Sequence, residues 1–470
     1  MQRLLIIILL SLLLPGFLSG QESLSFRPDG TFTLLQFTDA HLDGGHRAGA
    51  DSTFRTMRTL IEKVRPDLAV LTGDIVTEKE DAREMLLALC RLFGETRTPF
   101  VLTLGNHDPE ALPKSEIFDL LESSPFYAGS RGPESLAPAM GDCRLLIRDR
   151  TGRAAALLYF LDSGSGDPIR FDQIARYREI SSLLKKEHGT LPALMFFHIP
   201  IPEFDRIDGG VLTFGQKGEP HGDPRAVNSG LFASLLDMQE VMGVFCGHNH
   251  DNDLIGMDSG IALAYGRVTG QDAYGSLPRG GRVIRLYEGE RRFDTWIQTS
   301  EGSGPIYYYP SGITSLEESE SAYLPPLTSA PTENGVTYAY LEGSFRSVSD
   351  ISGGTLVREG TLPYFSIDGA DCEDHFAFKF RSFVRIPERG IYRFYTRSDD
   401  GSILRIDGET VADNDGGHSP RKAEGKIALE AGFHLLEVLY FEDYMGQELS
   451  VGFSSKTIPE QPLPPSLLFY

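Results

Sequence analysis

Cysteine, tryptophan and basic residues are all scarce in this chain. The 470 residues include four Cys and one Trp, and 66 Asp and Glu outnumber 44 Lys and Arg, which gives a formal net charge of -22. A protein this acidic repels polyanions, so nucleic acid and anionic membrane surfaces are not expected as partners through bulk charge. An anionic substrate would need a local source of positive charge, such as metal ions.

The four cysteines, Cys90, Cys143, Cys246 and Cys372, are far apart in the sequence. Their spacing matches no cysteine-based zinc site. In an exported protein they permit three pairings, whereas the apolar surroundings of Cys90 and Cys246 favour buried free thiols. The sequence leaves both states open.

Long apolar runs are missing after the first twenty residues. The N-terminal segment MQRLLIIILLSLLLPGFLSG places Arg3 before an apolar run of about eleven residues, followed by Pro15 and small residues. This layout is typical of a secretory signal peptide, and the run is short for a membrane span. We therefore predict a signal peptide over residues 1–20, a periplasmic or secreted protein, and no transmembrane anchor after cleavage.

The pattern of residues divides the rest of the chain into three regions. Residues 29–300 alternate continuous apolar strands with helical segments, which is typical of layered α/β folds. Residues 301–333 are rich in Ser, Glu, Pro and Gly and lack periodicity, so a linker is predicted. Residues 334–470 contain short alternating strands between turns such as SDDGS and DNDGG, which predicts an all-β sandwich.

Metal-binding side chains follow several apolar strands of the first region, in the segments FTDAH, LTGD, LGNHD, FFHIP and CGHNH. Each segment alone is a weak signal, because a single His or Asp after a strand is more often structural. Five such segments indicate a shared site, since open α/β sheets place ligands at the carboxyl ends of their strands. Carboxylates can bridge two cations, and neutral imidazoles and an amide oxygen suit transition metals.

In the order D-x-H, G-D, G-N-H-D, H and G-H-x-H, these residues closely resemble the calcineurin-like metallophosphoesterase superfamily over roughly residues 30–300. The segments YFLDSG, FFHIPIPEF, VNSGLF and GHNHDND resemble its purple acid phosphatase-related branch in plants and fungi. One position departs from the true purple enzymes, which have Tyr three residues after the Asp of G-D. Here Thr77 follows Asp74 at that spacing, so a Tyr-to-iron colour is not implied.

The resemblance implies a four-layer αββα sandwich that holds two divalent transition metals, Fe, Mn or Zn, about 3.5 Å apart. Carried onto this chain, it makes Asp74 the bridging ligand. His107 is the implied acid or phosphate-orienting imidazole, with Asp108 holding it in place. The remaining implied ligands are Asp39, His41 and His250 for the first metal, and Asn106, His198 and His248 for the second.

This chemistry predicts an enzyme that hydrolyses phosphate esters, in which hydroxide bridging the metals attacks phosphorus in line with the leaving oxygen. A phosphomonoester is the expected substrate, and a phosphodiesterase or nucleotide hydrolase is the alternative. An alternative of another class is a surface glycan-binding adhesin with a vestigial phosphoesterase domain. Glu219, His221, Tyr265 and Arg267 are further candidates for contact with the substrate.

The region from about residue 335 to 470 resembles the β-sandwich module first known from anthrax protective antigen and also present in yeast adhesins. In sugar-binding members an adjacent Asp pair binds calcium, which holds sugar hydroxyls. Asp399 and Asp400 stand at that place, and oxygen ligands suit calcium. Because SDDGS is also a good hairpin turn, calcium and glycan binding by this module is a hypothesis.

Overall fold

The computed structural model describes residues 24–132, 140–165, 168–221, 227–328 and 331–470. The predicted signal peptide lies outside the described residues. Among the helices of the described ranges, none combines the length and the apolar character needed to cross a bilayer.

Two sheets and their flanking helices build the first domain. Its strands are β1 (Thr31–Phe37), β2 (Leu68–Thr72), β3 (Phe100–Thr103), β4 (Cys143–Arg148), β5 (Ala154–Phe160), β6 (Ala193–Phe196), β7 (Val241–Cys246), β8 (Ile255–Asp258), β9 (Ile261–Tyr265), β10 (Gly280–Tyr287), β11 (Phe293–Thr299), β12 (Tyr307–Tyr309) and β13 (Ile313–Thr314). Its helices are α1 (Arg47–Val64), α2 (Ala82–Thr96), α3 (Asp108–Ala111), α4 (Lys114–Glu122), α5 (Phe171–His188), α6 (Leu231–Met238) and α7 (Ser315–Glu320), with a 3-10 helix at Pro202–Ile207.

The strand order of one sheet is β13-β12-β11-β10-β1-β2-β3, and that of the other is β4-β5-β6-β7-β9-β8. Strands β1, β2 and β3 are parallel to one another, as are β5, β6, β7 and β9. Parallel neighbours need crossover connections, so most of the helices lie between these strands in the chain. The carboxyl ends of the parallel strands in each sheet therefore meet at one edge.

The core of this domain is arranged in layers. Successive side chains of a strand point to opposite faces, so Leu34 of β1 packs between the two sheets while Leu35 faces the helices. Phe160 and Phe245 of the second sheet share the inter-sheet core with Leu34. Leu157, on the other face of β5, packs towards α5 and α6. The predicted four-layer αββα arrangement is confirmed.

Part of the predicted linker belongs to the first domain. Strands β12 and β13 extend the first sheet beyond β11 by antiparallel pairing. Tyr307 and Tyr309 are 1% and 7% exposed and lie in the inter-sheet core. The Tyr307 hydroxyl donates to the Leu212 carbonyl at 2.9 Å. The prediction of a linker over 301–333 was wrong here, because strands of two or three residues are too short to show periodicity.

The second domain is an all-β sandwich, as predicted. Its strands are β14 (Val336–Glu342), β15 (Thr355–Leu362), β16 (Phe376–Ile386), β17 (Gly390–Asp399), β18 (Ser402–Ile406), β19 (Glu409–Asn414), β20 (Arg421–Leu429), β21 (Gly432–Glu442), β22 (Glu448–Ser455), β23 (Gln461–Pro462) and β24 (Leu468–Phe469), with 3-10 helices at Val348–Gly353 and Pro465–Leu467. One sheet has the order β15-β14-β16-β21-β18-β19 with β24 on β16, and the other has the order β20-β17-β22-β23. Phe378, Phe394 and Val438 are among the side chains buried between them.

The two domains are in contact through residues of the segment that was predicted to be a linker. Ile313 of β13 packs against Ile391 and Ala428 of the second domain. The Lys426 ammonium lies 2.8 Å from the Glu317 carboxylate. An apolar contact and an ion pair on neighbouring elements hold β13 and α7 against β17 and β20.

All four cysteines are free thiols in the structure. Cys246 is fully buried in β7, and burial raises the pKa of the partly buried Cys90 thiol to about 11. Both thiols are therefore protonated at neutral pH. Of the two states that the sequence left open, the structure shows the unpaired one.

We predict that Tyr307→Ala lowers the free energy of unfolding of the first domain by about 3–5 kcal/mol, the range for removal of a large buried aromatic side chain. Urea titration followed by the fluorescence of Trp296, the one Trp of the chain, reports on this domain. The matched control is Tyr308→Ala, because the Tyr308 side chain is on the opposite face of β12 from the inter-sheet core. Its ring centroid lies 3.6 Å from the Lys456 ammonium of the second domain. Equal losses in the two variants would contradict the placement of β12 in the core.

Candidate metal centre

The residues predicted as metal ligands converge at the carboxyl ends of the parallel strands. Two groups of three have their ligating atoms within 4.8 Å of one another. The members of the two groups are Asp39, His41 and His250 in the first, and Asp74, His198 and His248 in the second. The two sets agree with the division that the sequence motif implied.

Asp74 lies between the two groups. Its Oδ2 is 3.1 Å from Nε2 of His198 and 3.9 Å from Nε2 of His41. Asp39 Oδ1 is 3.2 Å from His250 Nε2 and 4.0 Å from His198 Nε2. Both carboxylates therefore reach imidazole nitrogens of both groups, as a pair of adjacent cations would require.

Asn106 supplies a further donor directly after β3. Its side-chain Oδ1 is buried and has no hydrogen-bond partner among the described residues. Buried polar atoms are almost always partnered, so an unpartnered amide oxygen needs an explanation. A metal ion would account for it, because an amide oxygen is a neutral ligand for a divalent cation.

The imidazoles are oriented as metal ligands. His198 Nδ1 donates to the Thr72 carbonyl at 2.8 Å, and His250 Nδ1 donates to the Tyr274 carbonyl at 3.3 Å. The Nε2 atom of each ring therefore points into the centre, 3.1 Å from Asp74 Oδ2 for His198 and 3.2 Å from Asp39 Oδ1 for His250. Burial lowers the pKa of His41 to about 4, so this ring is neutral at neutral pH, as ligation requires.

The centre has a built-in attraction for positive charge. Burial opposes ionisation of both Asp74 and His198, but their mutual attraction is stronger. It holds the pKa of Asp74 below its usual range and raises the pKa of His198 to about 10. The proton on His198 occupies a position that a divalent cation can take, since the metal-bound imidazole is neutral.

The backbone is strained where it presents these ligands. Asp39, His41, Asp74 and His248 have φ values of 51°, 42°, 51° and 75°, in the left-handed region that favours glycine. Strain of this kind costs on the order of 1–3 kcal/mol per residue and clusters at functional sites. Close packing also requires glycine at position 105, because a Cβ there would lie 2.2 Å from Asp74 Oδ1.

Asp108 shapes the turn that carries the bridging carboxylate. Its Oδ2 accepts from the backbone N–H groups of Asp74 at 2.9 Å and Gly105 at 2.8 Å. Its Oδ1 accepts from those of Ile75 at 2.8 Å and Val76 at 3.0 Å. This fully buried carboxylate therefore joins the segment after β2 to the segment after β3.

His107 stands at the open side of the centre. Its side chain is 42% exposed, and its Nδ1 lies 2.9 Å from the Glu110 carboxylate. The ring centroid is 5.6 Å from that of His41. The expectation that Asp108 holds this ring is wrong, because the Asp108 oxygens accept backbone N–H groups and Glu110, one turn further along, holds the imidazole.

Three further candidates for substrate contact have partners within the protein. Tyr265 is fully buried, and its hydroxyl lies 2.8 Å from Nδ1 of the buried His221. His221 Nε2 lies 2.8 Å from the Asp208 carboxylate. Arg267 forms an ion pair with the buried Asp253. None of the three belongs to the two groups of candidate metal ligands.

Tyr274 is a neighbour of the centre that the sequence did not indicate. Its ring is stacked on that of His250, with centroids 3.8 Å apart, and the residue is 57% exposed. Its hydroxyl donates to the carboxylate of Glu219, another candidate from the sequence, at 2.9 Å. A single aromatic residue in the segment QDAYGS gives no signal of this position.

The second domain contains a separate acidic group. Asp399, Asp400 and Glu442 place carboxylate oxygens within 4.8 Å of one another. Asp400 accepts the backbone N–H groups of His418 at 2.8 Å and Asp443 at 3.0 Å. Glu442 is fully buried, and its Oε1 has no partner among the described residues. Burial and the two Asp charges raise the pKa of Glu442 to about 7.

Glu442 was missed by the sequence reasoning. It is the last residue of the alternating strand β21, in the segment YFED just before a turn. Its approach to Asp399 and Asp400 depends on the pairing of distant strands, which no local pattern reveals.

Comparison with known proteins agrees with this geometry. The family described as Calcineurin-like phosphoesterase matches residues 32–252, and the PA14 domain family matches residues 366–465. The fold and the paired ligand groups thus define a calcineurin-like phosphoesterase with a C-terminal PA14 domain.

Several curated relatives match the first domain. Probable inactive purple acid phosphatase 28 of Arabidopsis thaliana is 31% identical over 58% of this chain and 79% of its own length. Probable inactive purple acid phosphatase 29 of the same plant is 28% identical over 59% of this chain and 82% of its own length. Phosphatase DCR2 of Saccharomyces cerevisiae is 26% identical over 62% of this chain and 58% of its own length. The chain belongs to the calcineurin-like phosphoesterases that are related to purple acid phosphatases.

We predict that Asp108→Asn destabilises the first domain and weakens its retention of metal. An amide in place of the carboxylate would turn an N–H donor towards backbone N–H groups, at about 1–3 kcal/mol for each group left unsatisfied. Urea titration and metal analysis after dialysis measure the two effects. Glu110→Gln is the control, because Glu110 is exposed and should leave both quantities unchanged. Normal stability and metal content in Asp108→Asn would contradict the structural role.

Proposed function

We propose that this protein is an exported, dinuclear metal-dependent enzyme that hydrolyses phosphate monoesters. The observation that carries the proposal is the pair of donor groups at the carboxyl ends of the parallel strands, and the unpartnered Asn106 oxygen directly after β3 supports it. The N-terminal segment, with its basic residue and short apolar run, supports export.

The donor set fits two divalent transition metals, because it combines carboxylates, imidazoles and one amide oxygen. When bound, such cations supply an acidified water molecule and neutralise charge on the phosphoryl oxygens. Asp74 would lie between the two cations. The other residues that would hold them are Asp39, His41 and His250 on one side, and Asn106, His198 and His248 on the other.

His107 is placed to act on the leaving oxygen of the substrate. Hydrogen bonding between its Nδ1 and Glu110 leaves Nε2 free, and the exposed ring reaches solvent beside His41. A proton held on Nε2 can be transferred to the leaving alkoxide as the phosphorus–oxygen bond breaks. This is the role of a general acid.

The names of the two plant relatives include the word inactive, which favours a second candidate function. In that alternative the first domain is vestigial and the PA14 domain performs the biological role by binding glycans. We favour catalysis because each of the seven expected donors is present in this chain and six of them form the two groups.

The proposal is tested by metal analysis together with phosphate release from an alkyl phosphate, nitrophenyl phosphate and a nitrophenyl diester. We expect two transition-metal ions per chain and faster hydrolysis of the monoesters. His107→Ala should keep the metals but lose roughly 10²–10⁴-fold in turnover of the alkyl ester. The loss should be smaller for nitrophenyl phosphate, whose leaving group needs no proton.

Glu110→Gln is the matched control. It should lose much less turnover than His107→Ala, because a glutamine oxygen can still accept from His107 Nδ1. Metal loss in His107→Ala would make this residue a ligand. Two bound metals without release of phosphate from any ester would favour the vestigial alternative, and faster hydrolysis of the diester would make the enzyme a phosphodiesterase.

We also propose that the second domain binds calcium and, through it, a glycan. The support is the group formed by Asp399, Asp400 and the buried Glu442, whose carboxylate oxygens converge without a basic partner in the group. Calcium takes carboxylate oxygens in this way, and its charge would offset the repulsion between them.

We predict that calorimetry of the metal-loaded full chain detects one calcium ion that Asp400→Ala and Glu442→Gln both lose. Asp413→Asn is the control, because Asp413 is an exposed carboxylate of the same domain outside the group. A glycan array probed with and without a calcium chelator then tests sugar binding. If wild type and Asp400→Ala take up calcium equally, the ion does not bind here, and a chelator-independent glycan signal would contradict the calcium-mediated mode.

A further inference from the structure

A cleft of about 850 Å³ opens in the first domain, separate from the metal ligands. Its walls come from the segments 213–216, 277–278 and 299–305 and from strands β10 and β11. Small-molecule sites typically enclose about 300–1,000 Å³ and combine apolar walls with a few polar groups. The size of the cleft is therefore that of a ligand site.

Two buried arginines and one buried carboxylate line this cleft. Arg282, Arg267 and Asp253 are 2%, 8% and 6% exposed. Arg267 pairs with Asp253, whose other oxygen accepts the Gln216 N–H at 2.6 Å. Glu301 lies at the same cleft but is solvent-exposed, so its charge is screened. The buried part of the cleft therefore has one positive charge in excess, in a protein of net charge -22.

Among the described residues, the two guanidinium groups have hydrogen-bond partners for only part of their N–H groups. Arg282 uses three N–H groups, on the carbonyls of Tyr265 and Asp253 and on the Thr295 hydroxyl. Arg267 uses two, on the Pro278 carbonyl and the Asp253 carboxylate, and its Nε has no partner among the described residues. Five of ten N–H groups are thus accounted for, three from one arginine and two from the other.

A purely structural role explains the hydrogen bonds that the two arginines form within the protein. It does not explain the N–H groups that have no partner among the described residues. Arg282 of β10 ties the first sheet to the carbonyl of Tyr265 in the second. Burying a guanidinium without a matching anion is costly, and burial lowers the pKa of Arg282 to about 10 although Asp253 opposes this shift. An anion in the cleft would offset that cost.

We propose that this cleft binds a small amphipathic oxyanion. Its carboxylate, phosphate or sulfonate head would accept from the free N–H groups of Arg267 and Arg282, which suit planar two-point contact with oxyanions. Its apolar body would lie against Phe214, Leu277 and Pro305, which also line the cleft.

The segment between Arg267 and Pro278 separates this cleft from the metal centre. The Gly270 N–H donates to the Asp39 carbonyl at 3.0 Å, and Tyr274 is stacked on His250. The same segment contributes Arg267, Leu277 and Pro278 to the cleft. The two sites are neighbours, but the oxyanion site shares no residue with the metal ligands.

The chain provides an internal reporter, because its single Trp, Trp296, also lines the cleft. The probe is 8-anilinonaphthalene-1-sulfonate, and the matched probe is N-phenyl-1-naphthylamine, which has the same aromatic body without the anionic head. We expect the sulfonate to quench Trp296 by energy transfer with one site per chain, and to bind at least tenfold more tightly than the neutral probe. Competition by octanoate and by octylphosphonate distinguishes a carboxylate head from a phosphate-like head, and octanol should not compete.

Two substitutions should change the affinity for the sulfonate in opposite directions. Arg267→Gln should weaken the sulfonate at least tenfold, whereas Asp253→Asn should strengthen it by removing the competing carboxylate. Gly302 lines the cleft and a Cβ there meets no atom within 4 Å, so the ring of Gly302→Phe fits without displacing either arginine and should compete with the probe for the cleft. Gly302→Ala is its control and should bind as wild type does.

Equal affinity for the two probes, or unchanged quenching of Trp296 in Gly302→Phe, would overturn the proposal. If Arg267→Gln and Asp253→Asn both fail to fold, the comparison of Gly302→Phe with Gly302→Ala and of the two probes still decides it. Asp74→Asn should leave sulfonate binding unchanged, and a loss there would assign the signal to the metal centre instead.

Discussion

Four backbone N–H groups that converge on the carboxylate of Asp108 are the interaction on which the site depends. They come from the turn after β2 and from the segment after β3, so one buried side chain joins two neighbouring strand ends. Asp74 can hold its strained backbone conformation because its own N–H is one of the four. From that position its carboxylate lies between the two groups of ligands. The positions of Asp74 and of the segment after β3 thus depend on Asp108, which is not itself one of the candidate metal ligands.

Electrostatics then gives this rigid arrangement its chemical character. Asp39 and Asp74 are buried carboxylates surrounded by imidazoles, and the cluster is most stable with positive charge inside it. A protein with a net charge of -22 would otherwise repel a phosphate ester. Cations bound at this edge would reverse the local field, and the exposed ring of His107 would be accessible to a leaving group in the proposed reaction.

The connection between the domains is built from the same chain segment that completes the first sheet. Strands β12 and β13 add to the sheet, and the adjoining α7 is paired with the second domain through Glu317 and Lys426. The second domain is therefore docked on the sheet edge. Its acidic group at Asp399, Asp400 and Glu442 shares no residue with the metal centre.

Local periodicity in the sequence determined the layered α/β domain and the all-β domain, and the motifs at strand ends, through the family resemblance, indicated the candidate metal ligands. The two ligand groups agree with the implied division. Only the tertiary structure decided the role of Asp108, the burial of Tyr307 and the contribution of Glu442. The physical reason is that each of these depends on contacts between distant segments. The sequence does not show that the adjacent residues His107 and Asp108 lie in different environments. His107 faces solvent, whereas Asp108 is buried and accepts a hydrogen bond from a turn 33 residues earlier in the chain.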